Sequence, residues 1–215
     1  MNIPKEWTFN NAEIAKNFNQ HVREQLPWYD LITNAITHLA RHYITPDSTI
    51  YDIGAATGNI GKALQETITE RNANLIAIEP SEEMAHQYDG PGTLQISSAQ
   101  DANYEPASLI ILYLTLQFIP PQHRKQLLEQ LQAALLPGGA IILVDKETPP
   151  QGYIGIALYR LTLAEKIRAG VTPDEILSKE LSLSGIQRTI TPPDAPWVEW
   201  FRFGVFAGYI YEKPS

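Results

Sequence analysis

Four residues in the first half of the chain have types and spacing that could do chemistry together: Asp52, Gly54, Gly58 and Glu79. Three of them fall in Tyr51-Asp52-Ile53-Gly54-Ala55-Ala56-Thr57-Gly58, an apolar run that ends on an acid, turns through two glycines and enters a helical stretch. Glycine at 54 allows a sharp backbone turn, and glycine at 58 allows the loop to approach a ligand closely. A carboxylate just ahead of such a turn suits a cationic amine. Glu79 ends the next apolar run, Leu75-Ile76-Ala77-Ile78, where a carboxylate can accept both hydroxyls of a ribose. Ala55 and Pro80 stand in the same two turns and complete this part of the expected binding set.

An acid after the second strand also serves dinucleotides, so the glycine turn has to discriminate. A pyrophosphate calls for Gly-x-Gly-x-x-Gly with backbone amides aimed at the phosphates. Here Ala56 stands at the second glycine of that pattern, and Asp52 would repel a phosphate. S-adenosyl-L-methionine has an amine, a sulfonium and no phosphate, and it fits; S-adenosyl-L-homocysteine would be the product. Methyl transfer from a sulfonium is an in-line displacement, so the protein positions the acceptor, excludes water and supplies a base where a proton must leave. Tyr113, at the end of the fourth strand, and His21, on the helical segment before the first, are the candidate catalytic groups. Gln117 is a candidate hydrogen-bond partner for the acceptor. His123 and the cluster Asp145-Lys146-Glu147 are weaker leads with a solvated face as their plain alternative. His38 and His42 are four apart on a helix but lack the third protein ligand a zinc site needs, so no metal is expected.

These residues need elements to hold them. Asn11 to His42 reads as two helices broken near Pro27, followed by a turn at Thr45-Pro46-Asp47-Ser48. Strands are expected at Thr49–Ile53, Asn74–Ile78, Thr93–Ile96, Leu109–Tyr113 and Ala140–Val144. Helices are expected at Asn59–Thr69, Ser81–Tyr88 and Pro121–Leu135, the last stopped by Pro137-Gly138-Gly139. The strands lack polar alternation, as they should when helices cover both faces of a parallel sheet. Beyond Lys146 the pattern changes to helices at Ile154–Ala169 and Pro173–Leu183. Two final strands are expected at Gln187–Thr191 and Gly204–Tyr211, with a Pro-rich loop carrying Trp197 and Trp200 between them. The expectation is an α/β, Rossmann-like, seven-stranded and mostly parallel sheet with an antiparallel C-terminal hairpin. It forms one domain: a helical cap over 1–45, a cofactor-binding core over 46–148, and acceptor-side helices with the hairpin over 149–215.

Composition narrows the function classes. The 215 residues include 44% hydrophobic and 19% charged ones, ordinary for a folded domain. A formal charge of -8 argues against tight nonspecific nucleic-acid binding. No cysteine is present, which excludes disulfides, Cys-ligated metal and thiolate catalysis. No signal-peptide core or membrane span is legible, so a cytoplasmic enzyme with no membrane partner is expected. Tyr153, Tyr159, Trp197, Trp200, Phe201 and Phe203 could roof a pocket for a small-molecule or nucleoside acceptor, or form a homodimer interface.

The chain resembles class I S-adenosylmethionine-dependent methyltransferases over most of its length, through Asp52-x-Gly54, Glu79 and Leu135-Leu136-Pro137-Gly138-Gly139. Within that superfamily it is similar to carboxy-S-adenosylmethionine synthases, in Leu26-Pro27-Trp28-Tyr29, Ile50-Tyr51-Asp52, Leu114-Thr115-Leu116-Gln117-Phe118 and Phe201-Arg202-Phe203-Gly204. The resemblance implies that Asp52 holds the amine, Gly54 the turn and Glu79 the ribose. It also implies that Tyr29 reaches the amino-acid end of the cofactor and that Ser98 and Ala99 lie beside the adenine. Three departures accompany it. Ser97-Ser98-Ala99-Gln100-Asp101 brings its acid late, Tyr113 replaces an asparagine, and the segment that supplies a carboxylate-binding arginine is short between Glu180 and Gly185. Arg188 or Arg168 could substitute. Plain methyl transfer is therefore the expected reaction, with carboxylation of the cofactor's methyl group and a non-catalytic regulatory role as the alternatives.

Overall fold

Local chemistry sets the helix starts. In the computed structural model, which describes residues 3–215, Asn11 caps helix α1 (Ala12–Gln25) by accepting from the amides of Glu13 and Ile14. Pro27 separates α1 from α2 (Tyr29–Ala40). Then β1 (Thr49–Ile53), α3 (Asn59–Glu70), β2 (Asn74–Glu79), the short α4 (Glu82–Ala85), β3 (Thr93–Ile96) and β4 (Ala107–Tyr113) alternate. A 3-10 turn over Leu116–Phe118 leads to α5 (Pro121–Ala134), which begins on its proline, and to β5 (Leu135–Lys146). Helices α6 (Tyr153–Arg168) and α7 (Pro173–Ser182) follow, the second closed by a capping box between Thr172 and Glu175. Strands β6 (Val198–Phe203) and β7 (Phe206–Glu212) end the chain.

The seven strands form one sheet in the order β3-β2-β1-β4-β5-β7-β6. Strands β1 to β5 are parallel; β7 runs antiparallel to both β5 and β6. All seven residues of β4 are buried, because helices cover both faces. Leu109 and Ile111 face a core layer with Ile32, Ile36 and Leu64; Ile110 and Leu112 face the opposite layer with Leu127 and Leu131. A third cluster joins Trp7, Ile14, Met84 and Leu183, so the segment before α1 is packed down and not left loose. The strand order reverses between β1 and β4. Ligands of open α/β sheets bind beyond the strand ends at such a switch point.

Four sequence expectations are corrected. Gln187–Thr191 is not a strand: it makes a single bridge, Ile190 to Glu147, because Pro192-Pro193 ends any ladder there. The hairpin's first strand is Val198–Phe203, the stretch expected to be loop. Pro137-Gly138-Gly139 does not precede β5 but lies inside it, at a register shift opposite Ala107 and Leu109. The helix expected over Ser81–Tyr88 spans only Glu82–Ala85. Residues 1 and 2 of the expected cap lie outside the described residues.

Candidate functional site

The carboxyl ends of β1, β2 and β4 open into one cavity of about 350 Å³, roofed by α1, α2 and the segment through Trp7 and Phe9. Asp52, Gly54, Ala55, Glu79, Pro80, Ser98, Ala99, Tyr29, Tyr113 and His21 all line it. Gly58 does not: a Cβ there would lie 2.7 Å from the Gly90 amide nitrogen, so its constraint is the packing of two loops and not a ligand. Gly54 has φ +74°, and a Cβ would meet Thr115 Oγ1 at 2.5 Å. Thr115 in turn donates to the Ile53 carbonyl at 2.8 Å, locking the turn against β4.

Asp52 is 2% exposed, and its Oδ2 has no hydrogen-bond partner among the described residues. Burial, with the neighbouring Glu79 charge, pushes its carboxyl up to about 7. A buried acceptor in that state calls for a cationic donor from a ligand. Glu79 accepts from the Ala56 amide at 2.9 Å and the Ser81 amide at 2.9 Å, which ties the glycine turn to β2. A carboxylate offers about four lone-pair sites, so acceptor capacity remains for hydroxyls. Burial raises its pKa against the lowering effect of those two amides.

At the other side of this end, Ser98 Oγ donates to Asp101 Oδ2 at 2.7 Å, and Tyr104 donates to the Ala99 carbonyl at 2.6 Å. The Ser98 hydroxyl is thus already engaged, and Gln100, which also lines the cavity, is the side chain nearest in sequence that could take its place.

Neither candidate base has the geometry of one. The Tyr113 hydroxyl donates to the Tyr29 carbonyl at 2.9 Å, its ring stacks on Tyr29 at 5.0 Å, and burial pushes its pKa well up. It is a wall of the cavity. His21 is buried and stacked on Trp7, and desolvation together with Lys179 lowers it to about 3, too weak a base to match neutral pH. Tyr29 accepts from Asn59 Nδ2 at 3.2 Å, and Asn59 also donates to Asn19, which Thr57 joins at 2.8 Å. This network fastens the cap to the start of α3.

Away from Asp52, the cavity is basic. Lys146 at the end of β5, Lys166 on α6 and Lys179 on α7 all line it. Glu180 pairs with Lys146 at 3.4 Å and with Lys166 at 3.5 Å. Lys179 has no ion-pair partner among the described residues; its amine nitrogen lies over the Trp7 ring. Burial and the adjacent Lys166 lower it to about 5.

Comparison with known proteins follows the same outline. No family model matches the chain. The carboxy-S-adenosyl-L-methionine synthase of Shewanella piezotolerans is 34% identical over 195 residues, covering 86% of this chain and 80% of that protein. The synthase of Staphylococcus epidermidis is 29% identical, with 98% of each chain covered. The chain belongs to the carboxy-S-adenosyl-L-methionine synthase family. Among solved structures, the plantazolicin methyltransferase BpumL, in complex with a desmethyl-plantazolicin analogue and S-adenosylhomocysteine, superposes with a TM-score of 0.64. It shares 12% identity and covers 94% of this chain and 90% of its own. Human N-acetylserotonin methyltransferase with S-adenosylmethionine gives 0.54 at 15% identity, covering 96% and 58%. At these identities the likeness is one of fold, and it is the methyltransferase Rossmann-like fold.

For a carboxy-S-adenosyl-L-methionine synthase relative, the arginines are informative. Among the described residues none lines the cavity. Arg168 is outward and pairs with Glu165 at 2.6 Å, Arg202 is held by Glu147 and Glu199, and Arg160 and Arg188 are exposed. Arg168 and Arg188, either of which could have substituted, do not line the cavity, and lysines stand at this end instead. Sequence reasoning also missed Trp7, Gln25 and Phe9, whose ring packs edge-on against Phe118 at 4.9 Å. The signal for Trp7 and Phe9 was aromatic density ahead of a capped helix; Lys179 had none.

Proposed function

We propose that the chain binds S-adenosyl-L-methionine in this cavity and transfers its methyl group to a small molecule or modified nucleoside, releasing S-adenosyl-L-homocysteine. The observation that supports it best is Asp52 Oδ2, a buried acceptor with no partner at the mouth of β1, beside a glycine turn pinned by Glu79. Asp52 would hold the amine, Glu79 the ribose hydroxyls, and Ala99 with Gln100 would flank the adenine. Pro80 and Ala55 would shape the turn, and Tyr29 and Tyr113 would wall off the amino-acid end. The cofactor supplies an electrophilic methyl group on a sulfonium. The protein's share is to orient that centre and exclude water, which the packed aromatic roof of Phe9, Phe18 and Phe118 supports. The same reading makes this a cytoplasmic enzyme, in keeping with the absence, among the described residues, of a helix long and apolar enough to cross a membrane.

A second reading, carboxylation of the cofactor's methyl group, is favoured by family membership. The arginine-free cavity favours the first. Mass spectrometry of the adenosyl compound that co-purifies with the protein separates them. S-adenosylmethionine or S-adenosylhomocysteine is the expected species. A compound heavier than S-adenosylmethionine by one carboxyl group would establish the second reading. No adenosyl ligand, with no S-adenosylhomocysteine binding by the folded protein, would overturn both.

A further inference from the structure

Six buried side-chain polar atoms lack a hydrogen-bond partner among the described residues, and five of them belong to residues that line this one cavity: Trp7 Nε1, His21 Nε2, Gln25 Oε1, Asp52 Oδ2 and Gln117 Oε1. Native interiors leave few such atoms, so their concentration at a cavity marks places for ligand groups. Asp52 is accounted for by the cofactor reading. Trp7, His21, Gln25 and Gln117 are not, and the first three form a separate group. Gln25 stands one turn after His21 on α1, His21 stacks on Trp7 at 5.4 Å between ring centroids, and the Lys179 amine lies over the same indole. The Trp7 amide donates to the Ser182 carbonyl at 2.9 Å, which holds this segment to α7.

We propose that this group is the binding site for the second substrate, and that it takes a carboxylate flanked by an N–H group, as in an amino acid or an N-acylated amino acid. The inference rests on the reading of the Asp52 end as the cofactor site. Charge selects the carboxylate. Lys146, Lys166 and Lys179 face one acid, Glu180, whose carboxylate is already shared by Lys146 and Lys166. Lys179 is left without an anion, and its depressed basicity is what a buried amine shows when the counter-charge is absent. An anionic oxygen there would also satisfy the Trp7 indole N–H. Hydrogen bonding selects the flanking donor. Gln25 Oε1 is an acceptor with nothing to accept from, and the neutral His21 ring can present either a donor or an acceptor beside it. A simple carboxylate would fill the donors and leave the Gln25 acceptor orphaned, a mismatch that buried polar sites discriminate against strongly.

The test uses the full chain saturated with S-adenosylhomocysteine and saturation-transfer NMR. The probes are the common L-amino acids and their N-acetyl derivatives, with acetate and propionate as carboxylates that lack the N–H. At least one amino or amido acid should bind, at least tenfold more tightly than either simple carboxylate. Lys179→Met and Gln25→Leu should each weaken that binding at least tenfold. S-adenosylhomocysteine titration of each variant reports that the cavity is still formed, and the two substitutions on different helices guard against one failing to fold. Binding of S-adenosylhomocysteine with no probe bound, equal binding of the simple carboxylates, or affinity that survives both substitutions would overturn this inference alone. Failure of S-adenosylhomocysteine itself to bind would overturn the cofactor reading beneath it.

Discussion

Asp52 carries an electrostatic cost in the ligand-free fold. Its carboxyl sits at about 7 because burial and Glu79 disfavour the charge. The folded protein therefore holds a proton that the unfolded chain releases in the ordinary carboxylate range. Between that range and pH 7 each step upward lowers stability, and above 7 the cost is present in full. The displacement sets a ceiling of about 4 kcal/mol. Asp52→Asn should raise the stability of the ligand-free protein by about 2 kcal/mol at pH 8, half that ceiling, with the gain vanishing near pH 4. Urea denaturation at the two pH values measures it. Asp145, raised to about 7 by the same burial, is common to both proteins and cancels in the difference. The same substitution should weaken S-adenosylhomocysteine binding at least tenfold in titration calorimetry, since a charge-assisted bond contributes about 1.5–3 kcal/mol. A variant less stable at pH 8, or with unchanged affinity, would show that the carboxylate is structural.

Elements carry the site through their ends, and the best joint for testing is Trp28. It directly precedes α2 and packs against Phe206 at 4.9 Å and Phe201 at 5.6 Å, joining the cap to the final hairpin. Trp28→Ala should cost about 3–5 kcal/mol. It should also weaken S-adenosylhomocysteine binding, because the next residue is Tyr29; a loss of stability with unaltered affinity would uncouple the cap from the site. Such joints were partly readable. The strand starts at Thr49 and Thr93 follow from their flanking turn residues, and the glycine turn with Glu79 follows from type and spacing. The hairpin was misplaced because Gln187–Thr191 has strand-like composition, yet Pro192-Pro193 denies it a ladder, while Val198–Phe203 follows a Pro-rich run that reads as loop. Of the basic end, only Lys146 was readable, within the weak lead Asp145-Lys146-Glu147. Lys146, Lys166 and Lys179 come from β5, α6 and α7, and no local spacing encodes their meeting across loops.

At the scale of the molecule, the cavity draws its walls from the segment before α1, from α1 and α2, from the ends of β1, β2 and β4, and from α6 and α7. A ligand there touches nearly every layer of the fold, so its binding energy should stabilise cap, core and hairpin together and not one piece. Linkage gives the size: ligand at a hundred times its dissociation constant adds about 2.7 kcal/mol. For a chain of this length that corresponds to a rise in melting temperature of roughly 5–10 °C. The tryptophans make the distribution visible, since Trp7 and Trp28 report the cap side and Trp197 and Trp200 the hairpin. With S-adenosylhomocysteine added, tryptophan fluorescence and far-ultraviolet circular dichroism should shift by the same amount and stay coincident, as expected of one domain. If the two transitions separate, the ligand stabilises one part of the fold without the rest, and the single-domain reading fails.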